Sequence, residues 1–233
     1  MRLLAALFTT CVFLAGCAKK SSDSIETDST LVDTTAFIEE ADSTFAVSGD
    51  AANIRAAVEK LIDEHEAQSD DLHTLRLNAS GYEYQTDEVW SFDSLLNLVH
   101  CYQNWSSEGT EGSSHHFFRQ ERLYAILDEN SFGSGKEVNI FHLELGGVAL
   151  SETESEMDSV ATPLGKKFVT DSERDLKTHL AEIVRLLKEN DSKLSGTDPA
   201  TLRLENESSD EEMPGKETTQ ITVGKKLLKD LIK

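Results

Sequence analysis

The sequence predicts an α+β fold: an antiparallel β-meander of about five or six strands, with an N-terminal and a C-terminal helix packed on one face. Three observations carry that expectation. Apolar residues recur at helical spacing in two places, from Asp50 to about Gln68 and from about Asp171 to Asn190. Between them, from Leu72 to Leu150, the pattern changes to short strand-like runs rich in β-branched and aromatic residues. The breaks between those runs carry turn residues, so consecutive strands lie next to one another.

In the first helical segment Ile54, Ala57, Val58, Leu61, Ile62 and His65 fall on one stripe, with Glu59, Asp63, Glu64 and Glu66 off it. Asp50 stands where an N-cap is needed. The candidate strands are Leu72–Ala79, Tyr82–Phe92, Leu95–Tyr102, His115–Gln120, Leu123–Leu127 and Val138–Leu145. Turn chemistry separates them at 78–81, 108–112, 130–133 and 146–147. His115–Leu127 reads either as one bent strand or as two strands joined tightly at Gln120–Arg122. After a polar stretch from Ser151 to Pro163, Leu176, Leu180, Ile183, Val184 and Leu187 form the stripe of the second helix, with Thr170 or Asp171 as its cap. The folded domain is therefore expected over 36–190. Residues 191–233 are expected to be an acidic, loose linker ending in a short basic segment, where Leu227, Leu228, Leu231 and Ile232 share one face with Lys225, Lys226, Lys229 and Lys233 largely opposite.

The N-terminus carries a different message. Arg2 precedes an apolar run from Leu3 to Ala15, then small residues and Cys17. This is the layout of a secretory signal, and the run is shorter than the roughly 20 residues that a spanning helix needs. Leu14-Ala15-Gly16-Cys17 resembles the lipobox of bacterial lipoproteins. The resemblance covers residues 1–17 only. It implies removal of Met1 to Gly16, a diacylglyceryl thioether on Cys17 and a membrane partner reached through that lipid. Two acyl chains give stable anchoring, each buried CH₂ contributing about 0.8 kcal/mol. Ala18 follows the cysteine; the absence of an aspartate there implies the outer membrane of a diderm envelope.

From Cys17 to about residue 35 the chain is acidic and rich in Ser and Thr, a composition that cannot bury enough apolar surface to order itself. The stretch to Asp33 would reach an r.m.s. span of roughly 20–25 Å. Within and just after it, Asp followed by Ser or Thr and then an apolar residue or Thr recurs, placing Ser24, Ser29, Thr34 and Ser43 in similar settings. The pattern resembles an O-glycosylation signal used on exported proteins by one large group of diderm bacteria. It is equally the product of low-complexity Ser/Thr-Asp composition.

The chain has 22 Lys and Arg against 43 Asp and Glu, a net charge of −21. So acidic a surface repels nucleic acid and anionic membranes. Of the three cysteines, Cys11 leaves with the signal and Cys17 carries lipid, so Cys101 has no partner within the mature chain.

Candidate chemistry is sparse. Asp63, Glu64, His65, Glu66, Asp70, Asp71 and His73 gather oxygens and imidazoles near a helix end, but no second His follows His65 at the zincin spacing. Their plain reading is a solvated acidic face with a helix-terminal His. His115-His116 and His100-Cys101 are adjacent pairs, and on a strand neighbours point to opposite faces. Residues 128–139 depart from a calcium loop at Phe132 and Asn139, and Gly133-Ser134-Gly135-Lys136 lacks phosphate-loop spacing. No catalytic, metal or cofactor set stands out, and none is expected. Tyr82, Tyr84, Trp90, Phe92, Tyr102 and Trp105 concentrate aromatic surface on the first half of the sheet, as core or as stacking groups for sugar or peptide. The expected function is a lipid-anchored binding module for a protein or glycan partner, working through the sheet face free of helices. An envelope enzyme using the His, Cys and acidic groups, or a structural envelope component held by its basic C-terminus, are the alternatives.

Overall fold

In a computed structural model, the structure describes residues 50–233 except 82, 134, 154–155, 208–215 and 233. Cys17, Ser24, Ser29, Thr34 and Ser43 lie outside the described residues. In chain order the elements are helix α1 (Ala51–Ala67), strands β1 (His73–Gly81), β2 (Tyr84–Phe92), β3 (Leu98–Ser107), β4 (Thr110–Arg119), β5 (Arg122–Phe132), β6 (Gly135–His142), β7 (Gly146–Thr153) and β8 (Glu156–Pro163), helix α2 (Lys166–Glu189), strands β9 (Ala200–Glu207) and β10 (Lys216–Val223), and helix α3 (Lys225–Leu231).

All ten strands form one antiparallel sheet in the order β8-β7-β6-β5-β4-β3-β2-β1-β10-β9. The mixed α and β character and the meander are as expected, but the sheet is larger than the five or six strands anticipated. The expected turn at 146–147 opens β7, the polar stretch before Pro163 supplies its end and β8, and the expected loose tail supplies β9 and β10. Polarity hid these strands: β10, with the sequence KETTQITV, buries only Ile221 and Val223 and still pairs through its backbone with β1. The His115–Leu127 alternatives resolve as two strands. Gln120 and Glu121, with φ of 52° and 61°, form the two-residue link; positive φ at both central positions matches the twist of paired strands.

The helices lie on opposite faces of the sheet, which corrects the expectation of one helical face. Residues directly paired across strands share a face. The paired positions Leu75, Trp90, Cys101, His116, Ile126 and Phe141 define one face. Their apolar members join Val169, Leu176, Ile183 and Leu187 of α2 in one core. The opposite face carries Phe117, Ala125, Leu127, Val138 and Ile140, packed with Ile54 and Val58 of α1. Asp50 caps α1, its carboxylate accepting from the Asn53 N–H at 2.8 Å, a contribution of about 1 kcal/mol. Helix α2 starts earlier than expected: Gly165 is its N-cap, so neither Thr170 nor Asp171 caps it. Leu227 and Leu228 of α3 enter the α2-face core, and the Lys225 N–H donates to Asp198 at 3.1 Å. The basic C-terminal segment thus docks on its own domain, because its leucines gain more from that core than from solvent.

Candidate functional site

The face that carries α2 is covered by that helix only in part. Along β2 to β6, Trp90, Cys101, Ile126 and Phe141 are buried in the α2 core, and His116 is buried in the same row. One step along the strands, the same face presents a row of polar side chains: Glu88, Gln103, Ser114, Asp128 and Asn139. The next row holds Thr86, Trp105, Gly112, Asn130 and Glu137, and the last holds Tyr84, Ser107, Thr110, Phe132 and Gly135.

Three aromatic residues in these rows stand directly opposite a glycine on the neighbouring strand: Tyr84 opposite Gly81, Trp105 opposite Gly112, and Phe132 opposite Gly135. Each ring occupies the space where the glycine lacks a side chain. A Cβ on Gly112 would come within 2.6 Å of the Trp105 indole and 2.5 Å of Asn130 Oδ1. One on Gly135 would touch the Phe132 ring at 3.4 Å, and one on Gly81 would run into the Tyr84 ring. Aromatic cover of a cross-strand glycine holds the ring against the sheet. Trp105 and Tyr84 are half-buried and Phe132 is exposed.

Among these rings lies a hydrogen-bonding set. Asn130 Nδ2 and Asn139 Nδ2 each donate to Asp128 Oδ2 at 3.2 Å. Burial pushes the Asp128 carboxyl above its ordinary pKa, against the opposing pull of the two amides. Glu88, at the other end of the row, is 2 % exposed. It accepts from Trp90 Nε1 at 3.1 Å and contacts His179 Nε2 of α2 at 2.9 Å. Burial works against a charged His179, but the hydrogen bond and charge of Glu88 hold its pKa above the usual value. A shallow depression of about 380 Å³, lined mainly by Ser, Thr, Glu and Gly of the adjoining turns, borders the last row. No lysine or arginine occupies any of the three rows.

The structure divides the other sequence candidates between faces. Cys101 and His116 pair directly across β3 and β4 on the α2 side. Burial raises the Cys101 thiol well above its ordinary pKa and lowers His116 to about 3. Neither group charges near neutrality, so they do not form a thiolate–imidazolium pair. On the opposite face three histidines from separate segments meet at the end of α1. The His65 ring packs 4.1 Å from that of His100, and His100 Nε2 lies 3.1 Å from His115 Nδ1. Burial, then neighbouring histidines, lower His100 to about 2; burial, then His65, lower His115 to about 4. His65 Nε2 and His100 Nδ1 are buried without a hydrogen-bond partner among the described residues. Spacing could not show this meeting, because it joins a helix end to two strands at sites 35 and 50 residues away along the chain. Among the described residues, no group of three or more His, Cys, Asp or Glu is arranged to hold a metal ion, and no helix is long and apolar enough to cross a membrane. The acidic neighbours of His65 stay exposed and do not gather around it.

No family model, curated protein or solved structure matches the chain. The site therefore has to be read from its own chemistry. Of the six aromatics picked out in the sequence, Trp90 and Phe92 belong to the core, and Tyr102 packs on His115 on the α1 side. Tyr82 lies outside the described residues. Tyr84 and Trp105 border the polar rows, where they are joined by Asp128, Asn130 and Phe132, which sequence reasoning had treated as a turn, and by Asn139 of an expected strand.

Proposed function

We propose that the protein is a lipid-anchored binding module of the bacterial envelope, held at the outer membrane by a lipidated Cys17, with the outer rows of the α2 face around Trp105 and Phe132 as its working surface. The Leu14-Ala15-Gly16-Cys17 motif and its upstream apolar run support the anchor. One observation carries the binding role: Trp105 and Phe132, each laid over a cross-strand glycine, flank the Asp128, Asn130 and Asn139 group and keep part of their rings exposed among the described residues. Exposed apolar surface rimmed by polar groups marks an interaction site. The acidic Ser/Thr segment after Cys17 serves as a spacer, with Ser24, Ser29, Thr34 and Ser43 as candidate glycan acceptors.

Two measurements test this reading. A clickable palmitate analogue should label the wild-type chain and leave Cys17→Ala unlabelled, with the labelled chain in the outer-membrane fraction; equal labelling of both, or of neither, removes the anchor. A photoreactive amino acid at position 107, in the last row, should give adducts in cells, whereas the same group at Ser113 on the other face should not. Adducts at neither position, or at both alike, remove the working surface.

A further inference from the structure

We infer that the three histidines where α1 meets the sheet form an acid-sensitive latch. His65, His100 and His115 hold the C-terminal half of α1 against β3 and β4 near neutral pH. Their protonation in mild acid lifts that half from the sheet, while the N-terminal half stays docked.

The seam is built from three rings on three elements. His65 stands in the last turn of α1, with its ring 4.1 Å from that of His100 on β3. His100 Nε2 lies 3.1 Å from His115 Nδ1 on β4, so the two nitrogens share one hydrogen. Phe117 packs on His100 at 4.5 Å and edge-on against His65 at 6.3 Å, and Tyr102 covers His115 at 4.7 Å. Neutral rings suit such a seam. In an imidazolium both ring nitrogens are donors, and His65 Nε2 and His100 Nδ1 are buried with no partner among the described residues. A second charge would face the first across a single ring contact. The carboxylates give little relief. Asp63, Glu64 and Glu66 of α1, and Asp70 and Asp71 after it, are exposed. Glu129 of β5, which attracts a charge on His115, is already bound to Arg55 of α1 and Lys136 of β6. His116 points to the other face but adds to the repulsion at His100.

The other end of the helix is held by groups that mild acid does not touch. Ile54 and Val58 are fully buried in the α1-face core, and Arg55 pairs with Glu129. Burial works against a charged Glu129, but Lys136 and Arg55 hold its carboxyl below the ordinary range, so this tie persists. Leu61 and Ile62, on the half that lifts, are only half-buried. Burial keeps all three imidazoles below their ordinary value, joined at His100 and His115 by repulsion from neighbouring histidines; water restores that value when the seam opens. Each group freed in this way favours the open form by about 25-fold between pH 7 and pH 5. His65 and one member of the His100–His115 pair together supply roughly 600-fold. A helix end open about one part in 600 at neutral pH is then half open at pH 5.

The test is hydrogen exchange on the full-length chain at pH 7 and pH 5, each amide rate divided by its intrinsic rate at that pH. Protection over residues 61–67 of α1 should fall about tenfold or more in acid relative to residues 54–58 of the same helix. It should fall equally relative to residues 176–187 of α2, where His179 is charged at pH 5 and its pair with Glu88 persists. His65→Leu and His65→Phe each remove the proton site and keep the seam apolar. Either variant should shrink the acid-induced fall over 61–67 by about fivefold or more, and the phenylalanine keeps a ring on His100 if leucine does not pack. The latch is overturned if 61–67 and 54–58 lose protection equally, if α1 and α2 open together in acid, or if neither variant, folded at pH 7, reduces the fall.

Discussion

His179 of α2 reaches down to the Glu88 carboxylate, 3.0 Å from one oxygen and 2.9 Å from the other, and Trp90 Nε1 donates to the same carboxylate. This contact pins the middle of α2 to β2 where the apolar core gives way to the polar rows. Replacing His179 with Ala would leave a buried carboxylate with only the indole N–H, so the variant should lose about 3–5 kcal/mol in urea unfolding. A loss below 1 kcal/mol would mean that the pair is not an important tie between helix and sheet.

The histidines give the fold opposite sensitivities on the two sides of neutrality. His100 and His116 have folded pKa values lowered to about 2 and about 3, with burial as the main cause. The unfolded chain therefore binds protons that the native chain excludes, and the stability these groups contribute is lost as pH falls below about 6.5. Their combined effect between pH 6.5 and 5 should be a drop on the order of 3 kcal/mol. His179, raised by Glu88 despite its burial, works the other way: its contribution is complete below its unfolded value and is lost as pH rises through its folded one. Urea midpoints measured from pH 5 to 8 should peak near neutrality, and the His100→Leu/His116→Leu chain should show a flatter acid limb. An unchanged acid limb would assign the effect to other groups.

The β4–β5 link places Gln120 and Glu121 in the left-handed region, which side-chain-bearing residues enter at a cost of about 1 kcal/mol or more each. Gln120→Asn with Glu121→Gly should raise stability by roughly 1 kcal/mol, visible as a higher thermal midpoint. A lower midpoint would show that the side chains contribute contacts exceeding the backbone cost.

Leu227 is 1 % exposed and belongs to the same core as α2. Leu227→Ala should destabilise the domain by about 2–5 kcal/mol. If stability were unchanged while membrane recovery fell, the segment would be acting on a partner and not on its own sheet.

How far the fold could be read depended on where apolar side chains were required. The Asp50 cap, the Ile54–Val58 stripe and the run through Trp90 and Phe92 announced themselves, because each must bury a face. Strands β8 to β10 did not, since long polar stretches pair there mainly through the backbone, which leaves no periodic trace. The side on which a helix packs was equally hidden: an amphipathic stripe requires a sheet face but does not say which one. At the site, Tyr84 and Trp105 were visible as aromatics, but their opposition to Gly81 and Gly112 is a matter of register. The meeting of His65 with His100 and His115 depends on how α1 crosses the strands, and local spacing holds no record of that.

Strand β10 completes the hydrogen bonding of β1, although the two are separated by almost the whole domain in sequence. During synthesis, β1 emerges early with β2 beside it and one edge bare, and that edge is closed only when β10 follows. A premature stop between β8 and β10 would therefore release a product with a nine-residue open edge, the kind of template on which other chains add strands. Integrity of Lys216–Val223, more than of any loop before it, decides whether this sheet is finished or left as a seed for aggregation.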